Sequence, residues 1–349
     1  MKLLIVDDIL DNIKVAMNHL KPLGCEFIYA TSGKQALERA LIHHPDLILM
    51  DVMMPEMDGY ETVIRLKQSA ETASIPVIYL TAKIDPKDIA RGFECGGVDY
   101  VTKPFSGAEL LARVRTHLEL RRYQNHLERL VSERTQEVEK LRNAVIEALG
   151  GMAEYRDPET GGHIKRTQHY VRELAQRLYE KGKFLMILNP EYIQTLFLSA
   201  PLHDIGKVGI RDHILLKPAS LTPEEFEEMK RHTLIGEQAI AKLIHNAGEC
   251  EFLSCALEIA GSHHERFDGS GYPRGLAGEA IPLSARIMAL ADVYDALVNK
   301  RVYKEAWSHE RAMQVMRAGR GNHFDPQVFD TFLELEERFI EIYETFRDD

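Results

Sequence analysis

Residues 199–207 read Ser-Ala-Pro-Leu-His-Asp-Ile-Gly-Lys and place His203 beside Asp204 at the end of an apolar run, Tyr192 to Leu202. A charged group at the buried end of a helix must be paired or must hold a metal ion. Adjacent helix residues project about a third of a turn apart, so both side chains can reach one ion there. A single His-Asp pair is weak evidence, because surface polarity or capping explains most of them. The surrounding sequence therefore decides how this pair is interpreted.

The second half of the chain has an almost entirely helical pattern. Apolar residues recur at helical spacing, and strand signals are scarce. The expected helices are Ile164–Leu178, Glu191–Leu202, Pro223–Ile244, Phe252–His263, Ser284–Val298, His309–Ala318 and Asp325–Phe346. Asp325 is expected to cap the last of these, and the loop before it, His323 included, is interpreted as structural. The pattern predicts an all-α domain.

This helical region carries several imidazoles and carboxylates at helix ends or within apolar faces. The candidate metal ligands are Glu159, His163, His203, Asp204, His232, His263, His264 and Asp292. Asp292 follows the apolar run Ile287–Ala291, where an unpaired carboxylate would be costly. One such residue alone is more often a satisfied core residue, but the set, drawn from separate segments, indicates a metal cluster. Imidazole and carboxylate ligands without thiolate suit iron or manganese, with nickel or zinc also compatible.

The first part of the chain alternates short apolar runs with helical stretches. The expected strands are Lys2–Val6, Glu26–Ala30, Asp46–Met50, Pro76–Leu80 and Asp99–Val101. Alternation of this kind predicts a five-stranded, parallel, doubly wound α/β sheet. In such sheets ligands bind beyond the carboxyl ends of the strands.

Polar side chains occupy those strand ends. Asp7 and Asp8 follow the first strand, and Asp51 follows the third. Three carboxylates in one place repel one another, and oxygen ligands suit Mg²⁺, so we expect a magnesium site. Asp51 can act as a nucleophile that forms an acyl phosphate, while Thr81 and Lys103 can hold the phosphoryl oxygens. The bond between Lys103 and the following proline is a candidate cis peptide, although most such bonds are trans.

With these residues assembled, residues 1–117 resemble the CheY-like receiver domain of two-component response regulators. The matching positions are Asp7, Asp8, Asp51, the Pro55–Gly59 turn, Thr81, Tyr100 and Lys103-Pro104. The resemblance implies that a partner histidine kinase phosphorylates Asp51 and that Thr81 and Tyr100 form a switch pair. The alternatives are solvated strand-end acids and, for Tyr100, simple packing at the sheet edge.

Residues 118–146 are expected to form a helical linker. Glycine and proline are absent from Ala108 to Leu149, so the last receiver helix can continue without a break. Two heptad series lie four residues apart: Leu120, Leu127, Arg134 and Leu141, and Gln124, Val131, Val138 and Val145. This pattern predicts a coiled-coil homodimer, interrupted at Arg134 and Gln124. The alternatives are a solvated single helix or one packed on the next domain.

A second resemblance covers residues 147–349. The loop Glu265–Pro273 contains glycines that permit positive φ and close approach of backbone to ligand. Together with the histidines and acids, it makes this region similar to an HD-GYP domain, the cyclic di-GMP phosphodiesterase branch of the HD phosphohydrolases. The match runs through Arg156-Asp157-Pro158-Glu159, His163, His203-Asp204-Ile205-Gly206-Lys207, His232, His263-His264, Gly271-Tyr272-Pro273, Asp292 and Arg301-Val302-Tyr303-Lys304.

The resemblance implies a metal-dependent phosphodiesterase. All eight candidate ligands would hold two or three divalent ions, with Glu159 needed for a third. Asp204 would bridge two ions that activate a hydroxide for attack on a phosphodiester. Lys207 would point at the phosphate, and Arg301 and Lys304, three residues apart on one helix face, would bind the second phosphate or guanine. The product would be pGpG, with further cleavage to GMP left open. The alternatives are a surface ion pair for Lys207, solvated side chains for Arg301 and Lys304, and a Gly-Tyr-Pro turn that shapes the pocket or a partner surface without contacting substrate.

Composition excludes some classes of protein. The net charge of −11 argues against a general nucleic-acid or membrane-surface binder. The four cysteines show no CxxC spacing, which fits a reducing cytoplasm. No signal segment and no membrane-spanning run are expected, because the first apolar run stops at Asp7. We expect a cytoplasmic protein.

Two other functions fit the same residues. One is a signalling adaptor that binds partners such as diguanylate cyclases and hydrolyses little. The other is an HD phosphohydrolase that acts on a different nucleotide. The complete ligand set argues against the first, and the Gly-Tyr-Pro loop with the Arg301/Lys304 pair argues against the second.

Overall fold

The computed structural model describes residues 1–82, 85–156, 162–299 and 306–347; of residues 154–156 it describes the backbone alone. The chain divides into two compact units, Met1–Gln136 and Glu137–Asp349. The division falls inside the segment 118–146 that the sequence marks as a linker. In the described part of the chain, no helix has both the length and the apolar character needed to cross a membrane.

The first unit contains the predicted five-stranded parallel sheet. Its elements are β1 (Lys2–Val6), α1 (Leu10–Leu20), β2 (Glu26–Ala30), α2 (Gly33–His43), β3 (Leu47–Asp51), α3 (Gly59–Gln68), β4 (Val77–Thr81), α4 (Pro86–Glu94) and β5 (Asp99–Thr102). The strand order is β2-β1-β3-β4-β5, with every pair parallel. This is one of the two common orders of doubly wound sheets.

Burial on both faces of the sheet explains why its central strands read as continuous apolar runs. All five residues of β3 and of β4 are buried. Alternate residues enter opposite cores, so that Ile48 packs on one face of the sheet while Leu47 and Leu49 pack on the other. Because the strands are parallel, Asp51 and Thr81 end their strands at the same edge.

The helix after β5 is α5 (Gly107–Arg156), which has 50 residues. The hydroxyl of Ser106 accepts a hydrogen bond from the amide of Glu109 at its start. The prediction that this helix runs without a break to Leu149 is confirmed, and the helix continues through Gly150 and Gly151 to Arg156. The apolar heptad residues of the linker are all exposed. They are Leu120, Leu127, Val131, Val138, Leu141 and Val145.

The remainder of the second unit is helical, as predicted. Its α-helices are α6 (His163–Glu180), α7 (Pro190–Ser199), α8 (Asp212–Leu215), α9 (Pro223–Ala247), α10 (Glu251–Ser262), α11 (Leu283–Val298), α12 (His309–Ala318), α13 (Pro326–Leu333) and α14 (Glu336–Thr345). Three-residue to five-residue 3₁₀ helices occupy Ala200–Leu202, Ile205–Gly209 and Gly278–Ala280.

Two helix predictions differ from the structure. The helix expected over Glu191–Leu202 ends at Ser199 and becomes 3₁₀, because Pro201 has no backbone N–H to continue the i→i−4 hydrogen bonds of an α-helix. Consequently His203 and Asp204 lie between two 3₁₀ helices rather than at an α-helix end. The helix expected over Asp325–Phe346 is divided near Leu335. An unbroken helix would separate Phe332 from Phe339 by about 10 Å along its axis, whereas their ring centroids lie 4.8 Å apart.

An aromatic core holds α6 and α11 together. Tyr170 of α6 stacks on Phe339 at 4.3 Å between ring centroids and meets the edge of Tyr294 of α11 at 5.4 Å. The two helices are thus fixed side by side. His163 begins α6, and Asp292 lies on α11, so this packing determines where both side chains point.

Candidate metal centre

Seven of the eight proposed ligands lie in the described part of the chain, and they form two adjacent groups. One group contains Asp204, His232, His263 and His264; the other contains His163, His203 and Asp292. Within each group, one potential ligand atom of every residue lies within 4.8 Å of the others. The residues come from α6, α9, α11, the residues that directly follow α10, and the turn between the two 3₁₀ helices. Tertiary packing therefore assembles side chains that are distant in the sequence.

Asp204 connects the two groups. Its Oδ1 lies 3.3 Å from Nε2 of His232 and 3.6 Å from Nε2 of His263. Its Oδ2 lies 3.2 Å from Nε2 of His203 and 2.8 Å from the ammonium of Lys207. The second group is equally close, since Nε2 of His163 lies 3.3 Å from Nε2 of His203. Each carboxylate oxygen therefore faces a different set of imidazoles, which is the geometry of a bridging ligand.

Four imidazoles have their Nδ1 atoms engaged outside the centre. Those of His203, His232 and His263 lie 2.8–3.0 Å from the carbonyl oxygens of Ala200, Met229 and Ile259. Nδ1 of His163 lies 2.8 Å from Oδ2 of Asp295. An Nδ1–H that donates to each acceptor leaves the lone pair of the neutral ring on Nε2. All four Nε2 atoms face the centre and are available as ligands.

Burial and charge explain the protonation of the centre. Burial lowers the pKa of His232 to about 4, so this ring is neutral near pH 7. Burial and the neighbouring imidazoles hold the pKa of His264 well below its usual value. Burial acts to raise the pKa of Asp204, but Lys207 and His203 outweigh it and hold that pKa well below its usual value. The Asp204 carboxylate is therefore ionised beside the neutral rings of His232 and His264. Burial acts to lower the pKa of His203, but the Asp204 carboxylate outweighs it and raises that pKa.

The donor set fits divalent cations. Among the described residues, buried Oδ1 of Asp204 accepts no hydrogen bond, although His232 lies within reach. A neutral His232 that donates through Nδ1 presents a lone pair to this oxygen, and two lone pairs at 3.3 Å repel. A buried, unsatisfied group in a native fold needs an explanation, and a bound cation supplies one. Imidazole and carboxylate ligands without thiolate are compatible with iron, manganese, nickel or zinc.

Two residues that support the centre were not predicted. Asp295, one turn after Asp292 on α11, binds His163 and accepts two hydrogen bonds from the guanidinium of Arg166, at 2.8 and 3.1 Å. Both side chains are buried. Arg166 also donates to the backbone oxygen of Phe346. A carboxylate behind a ligating imidazole fixes the ring and raises its basicity. The i, i+3 spacing from Asp292 was the available signal in the sequence.

The Gly-Tyr-Pro loop is held against the centre by Glu265. Its buried carboxylate accepts hydrogen bonds from the amides of Arg274 and Leu276, at 2.7 and 3.0 Å. Within this loop the Tyr272–Pro273 bond is cis. The ring of Tyr272 lies 4.8 Å from that of His264. The loop therefore forms part of the wall around the ligands.

A cavity of about 440 Å³ opens beside the centre. Its lining residues are Asp204, Lys207, Ile214, Leu215, Ala219, Ser220, Leu221, Phe226, Met229, His232, His264, Tyr272 and Asp292. Among these residues, Lys207 contributes an ammonium that contacts Asp204. The cavity thus places ligand candidates, a cation and apolar side chains around one space.

Three predicted site residues, Glu159, Arg301 and Lys304, lie outside the described residues. His323, which the sequence excluded from the ligands, belongs to neither group in the described structure. Its ring stacks on Phe324 at 4.4 Å between centroids. Asp325 caps α13 by accepting from the amide of Gln327, as predicted.

The first unit contains the predicted acidic site. Asp7, Asp8 and Asp51 present carboxylate oxygens within 4.8 Å of one another. The ammonium of Lys103 lies 2.7 Å from Asp7 and 3.0 Å from Asp51. Burial raises the pKa of Asp51, although Lys103 opposes this effect. The Lys103–Pro104 bond is cis, as the sequence suggested.

The proposed switch residues lie at the end of the same sheet. Thr81 and Tyr100 line a small cleft with Tyr60, and Tyr100 meets the edge of Phe93 at 6.2 Å. The guanidinium of Arg113, on α5, lies 5.8 Å from the ring centroid of Tyr100.

Models of two protein families match the chain. The response regulator receiver domain matches residues 3–115, and the HD domain matches residues 125–328. Both matches agree with the resemblances noted from the sequence. The matched regions contain the acidic site of the first unit and the described ligands of the second.

Three relatives align over most of the chain. A "Probable cyclic di-GMP phosphodiesterase" of Vibrio cholerae serotype O1 is 51% identical over 99% of this chain and 80% of that protein. A "Cyclic di-GMP phosphodiesterase" of Thermotoga maritima is 38% identical over 100% of this chain and 94% of that protein. The "Cyclic di-GMP phosphodiesterase response regulator RpfG" of Xanthomonas campestris pv. campestris is 39% identical over 82% of this chain and 75% of that protein.

Proposed function

Because the chain belongs to the family of response regulators in which a receiver domain precedes an HD domain, we propose that it is a phosphorylation-controlled, metal-dependent phosphodiesterase of cyclic di-GMP. The names of the three relatives supply the substrate. The observation that carries the proposal is the pair of ligand groups joined through Asp204, beside a cavity that also contains Lys207.

The side chains of the proposed site have different roles, as metal ligands and as contacts to the phosphate. His163, His203 and Asp292 would hold one ion, and His232, His263 and His264 another, with Asp204 shared. Divalent ions bound there would supply a water of lowered pKa and neutralise negative charge at phosphorus. The ammonium of Lys207, which contacts Asp204, would donate to a phosphoryl oxygen. Glu159, Arg301 and Lys304 remain part of the proposed site as an additional ligand and two substrate contacts.

The enzymatic proposal is tested on full-length protein purified under anaerobic, reducing conditions. We expect two or three ions per chain by metal analysis and conversion of cyclic di-GMP to pGpG or GMP by product identification. Asp204→Ala should abolish hydrolysis. A panel of other cyclic dinucleotides determines the preferred substrate. The proposal would be contradicted if metal-loaded wild-type protein left every member of the panel intact. If Asp204→Ala kept full signalling output, the adaptor function would be favoured instead.

Control through the first unit is the second part of the proposal. A histidine kinase would transfer a phosphoryl group to Asp51, next to Mg²⁺ held with Asp7 and Asp8. Lys103 already contacts Asp7 and Asp51 and would bind the phosphoryl oxygens. Thr81 and Tyr100, which line one cleft, would respond to the new charge.

The exposed apolar series on α5 supports a homodimer. Its aliphatic side chains recur at heptad spacing and are open to solvent in the single chain. Burial of such a series against a second copy of the helix removes apolar surface from water. A phosphoryl group on Asp51 would act on the second unit by changing the geometry of this helix pair.

A further inference from the structure

The cavity beside the metal centre has a mixed lining. Asp204, Lys207, His232, His264 and Asp292 contribute charged or imidazole side chains. Most of the remaining lining is apolar or aromatic, with Ile214, Leu215, Leu221, Phe226, Met229 and Tyr272. A nucleotide combines a phosphoryl group with a flat aromatic base, so it matches both kinds of side chain.

Phe226 differs from the other apolar lining residues. Ile214 and Leu215 are buried in a small apolar cluster, and Leu221 and Met229 pack against it. The side chain of Phe226 is 45% exposed, on the first turns of α9. Isolated exposed apolar residues are common on protein surfaces. This one is different because its ring lines a cavity that also contains Asp204 and Lys207.

The ring of Phe226 is held in place by its neighbours. Its centroid lies 6.2 Å from that of Tyr272, with the rings nearly perpendicular, at 80°. The ammonium of Lys230 lies 5.0 Å from the centroid of Phe226 and 5.5 Å from that of Tyr272. Lys230 is itself fixed by Glu227, at 2.6 Å. A cation over two aromatic rings stabilises their arrangement, so Phe226 presents a prepared surface.

We propose that Phe226 is the stacking surface for a purine base of the substrate, in a subsite completed by Tyr272 and supported by Lys230. The inference rests on the proposed function, because it takes the ligand to be a nucleotide. Base–aromatic stacking contributes substantially to nucleotide binding and requires no hydrogen-bond donor on the protein. The base would then anchor the substrate while its phosphate meets Lys207 and the ligand groups.

The test compares two phosphomonoesters that differ only by the base-bearing part of the nucleotide. GMP and ribose 5-phosphate both offer a phosphoryl group, but ribose 5-phosphate has no base. Isothermal titration of metal-loaded, full-length protein gives both dissociation constants. We expect wild-type protein to bind GMP more tightly than ribose 5-phosphate. In Phe226→Ala, GMP binding should weaken about ten-fold or more, while ribose 5-phosphate binding stays unchanged.

Three further variants make the result specific. Phe226→Trp should retain the preference for GMP, because it keeps a stacking surface. Phe226→Leu keeps apolar bulk without a ring and should lose the preference even if Phe226→Ala is poorly folded. Phe93→Ala, at a phenylalanine of similar exposure in the first unit (49%), should change neither constant.

The inference would be overturned if wild-type protein bound the two ligands equally, or if Phe226→Ala and Phe226→Leu kept the preference. Neither ligand needs to be hydrolysed, so the result is independent of the activity assay. A base preference that depends on Phe226 in a protein that does not cleave cyclic di-GMP would refute the proposed function and leave the subsite in place.

Discussion

At the scale of single residues, the hydrogen bond at Nδ1 of each imidazole determines whether Nε2 has a lone pair for a metal ion. His203, His232 and His263 each bring Nδ1 within hydrogen-bond distance of a carbonyl oxygen of the backbone three or four residues earlier. This local geometry is available to any histidine near a helix end. Packing then directs the remaining nitrogen inward, where it is available to bind a metal ion.

His163 is the exception, because its Nδ1 is bound by a carboxylate. Asp295 accepts hydrogen bonds from His163 and Arg166 through its two carboxylate oxygens, so both terminal side-chain atoms must be acceptors. Asp295→Asn keeps the shape but replaces one acceptor by a donor and removes the charge. We expect the ion held by His163, His203 and Asp292 to bind about 10–100-fold more weakly. Metal titration of the full-length protein, followed by metal analysis, measures this change.

The matched control is Asp330→Asn, since Asp330 pairs with Arg320 at an exposed site of the same unit. That variant should keep the ions of the wild type. The thermal midpoint of each variant without metal separates weakened ion binding from general destabilisation. Unchanged affinity for every ion in Asp295→Asn would show that the carboxylate does not position His163 as a ligand.

At the scale of elements, α5 has too many charged residues to be a buried helix. It also carries more aliphatic residues on one face than a helix surrounded by water usually does. In 50 residues it alternates charged positions with the exposed aliphatic series. Isolated helices in water gain little from propensity alone and depend on burial of an apolar face. A second copy of the chain would provide an identical apolar series, which is the basis of the proposed homodimer.

The double variant Val131→Glu/Val138→Glu places charges in the centre of this series. We expect the dimer to dissociate at concentrations where the wild-type protein is dimeric, because facing carboxylates would be desolvated and would repel. Sedimentation equilibrium over a concentration series measures the change in association. Gln136→Glu adds a charge on the opposite side of the helix and should leave the dimer intact. If the double variant were as dimeric as wild type, the interface would have to lie elsewhere.

At the scale of the whole molecule, the two units carry two different chemical sites. The first contains oxygen ligands and Lys103, and the second contains imidazoles and carboxylates. Hard oxygen ligands suit Mg²⁺, whereas mixed nitrogen and oxygen ligands suit transition metals. The proposed site in each unit therefore favours a different kind of ion.

Regulation is tested by comparing hydrolysis before and after treatment with acetyl phosphate and Mg²⁺. We expect the rate of cyclic di-GMP hydrolysis to change in wild-type protein and to stay constant in Asp51→Asn, which has no carboxylate to phosphorylate. Intact-mass measurement confirms which sample carries the phosphoryl group. Asp11→Asn, at an exposed acid of α1, is the control and should respond as wild type does. An equal response of wild type and Asp51→Asn would exclude control through this residue.

The sequence by itself determined the two fold classes and predicted candidate ligands, seven of which lie together in two groups in the described part of the chain. Parallel strands were recognisable because burial on both faces of the sheet requires unbroken apolar runs. Polar residues such as Asp51 and Thr81 mark the ends of these runs. Asp292 was recognisable because a carboxylate next to a run such as Ile287–Ala291 is costly without a partner. These signals are local in the chain, so they can be read without coordinates.

Only the tertiary structure decided how the ligands are divided and what supports them. Asp204 faces one set of imidazoles with Oδ1 and another with Oδ2, an arrangement that depends on four helices and the 3₁₀ turn after Leu202. Neither Asp295 nor Phe226 stands out in the sequence. The proposed role of Asp295 comes from its contact with His163, which is 132 residues away in the chain. The proposed role of Phe226 comes from its contact with Tyr272, in a loop distant in the sequence. Contacts between residues far apart in the chain arise from packing in three dimensions, and no local pattern encodes them.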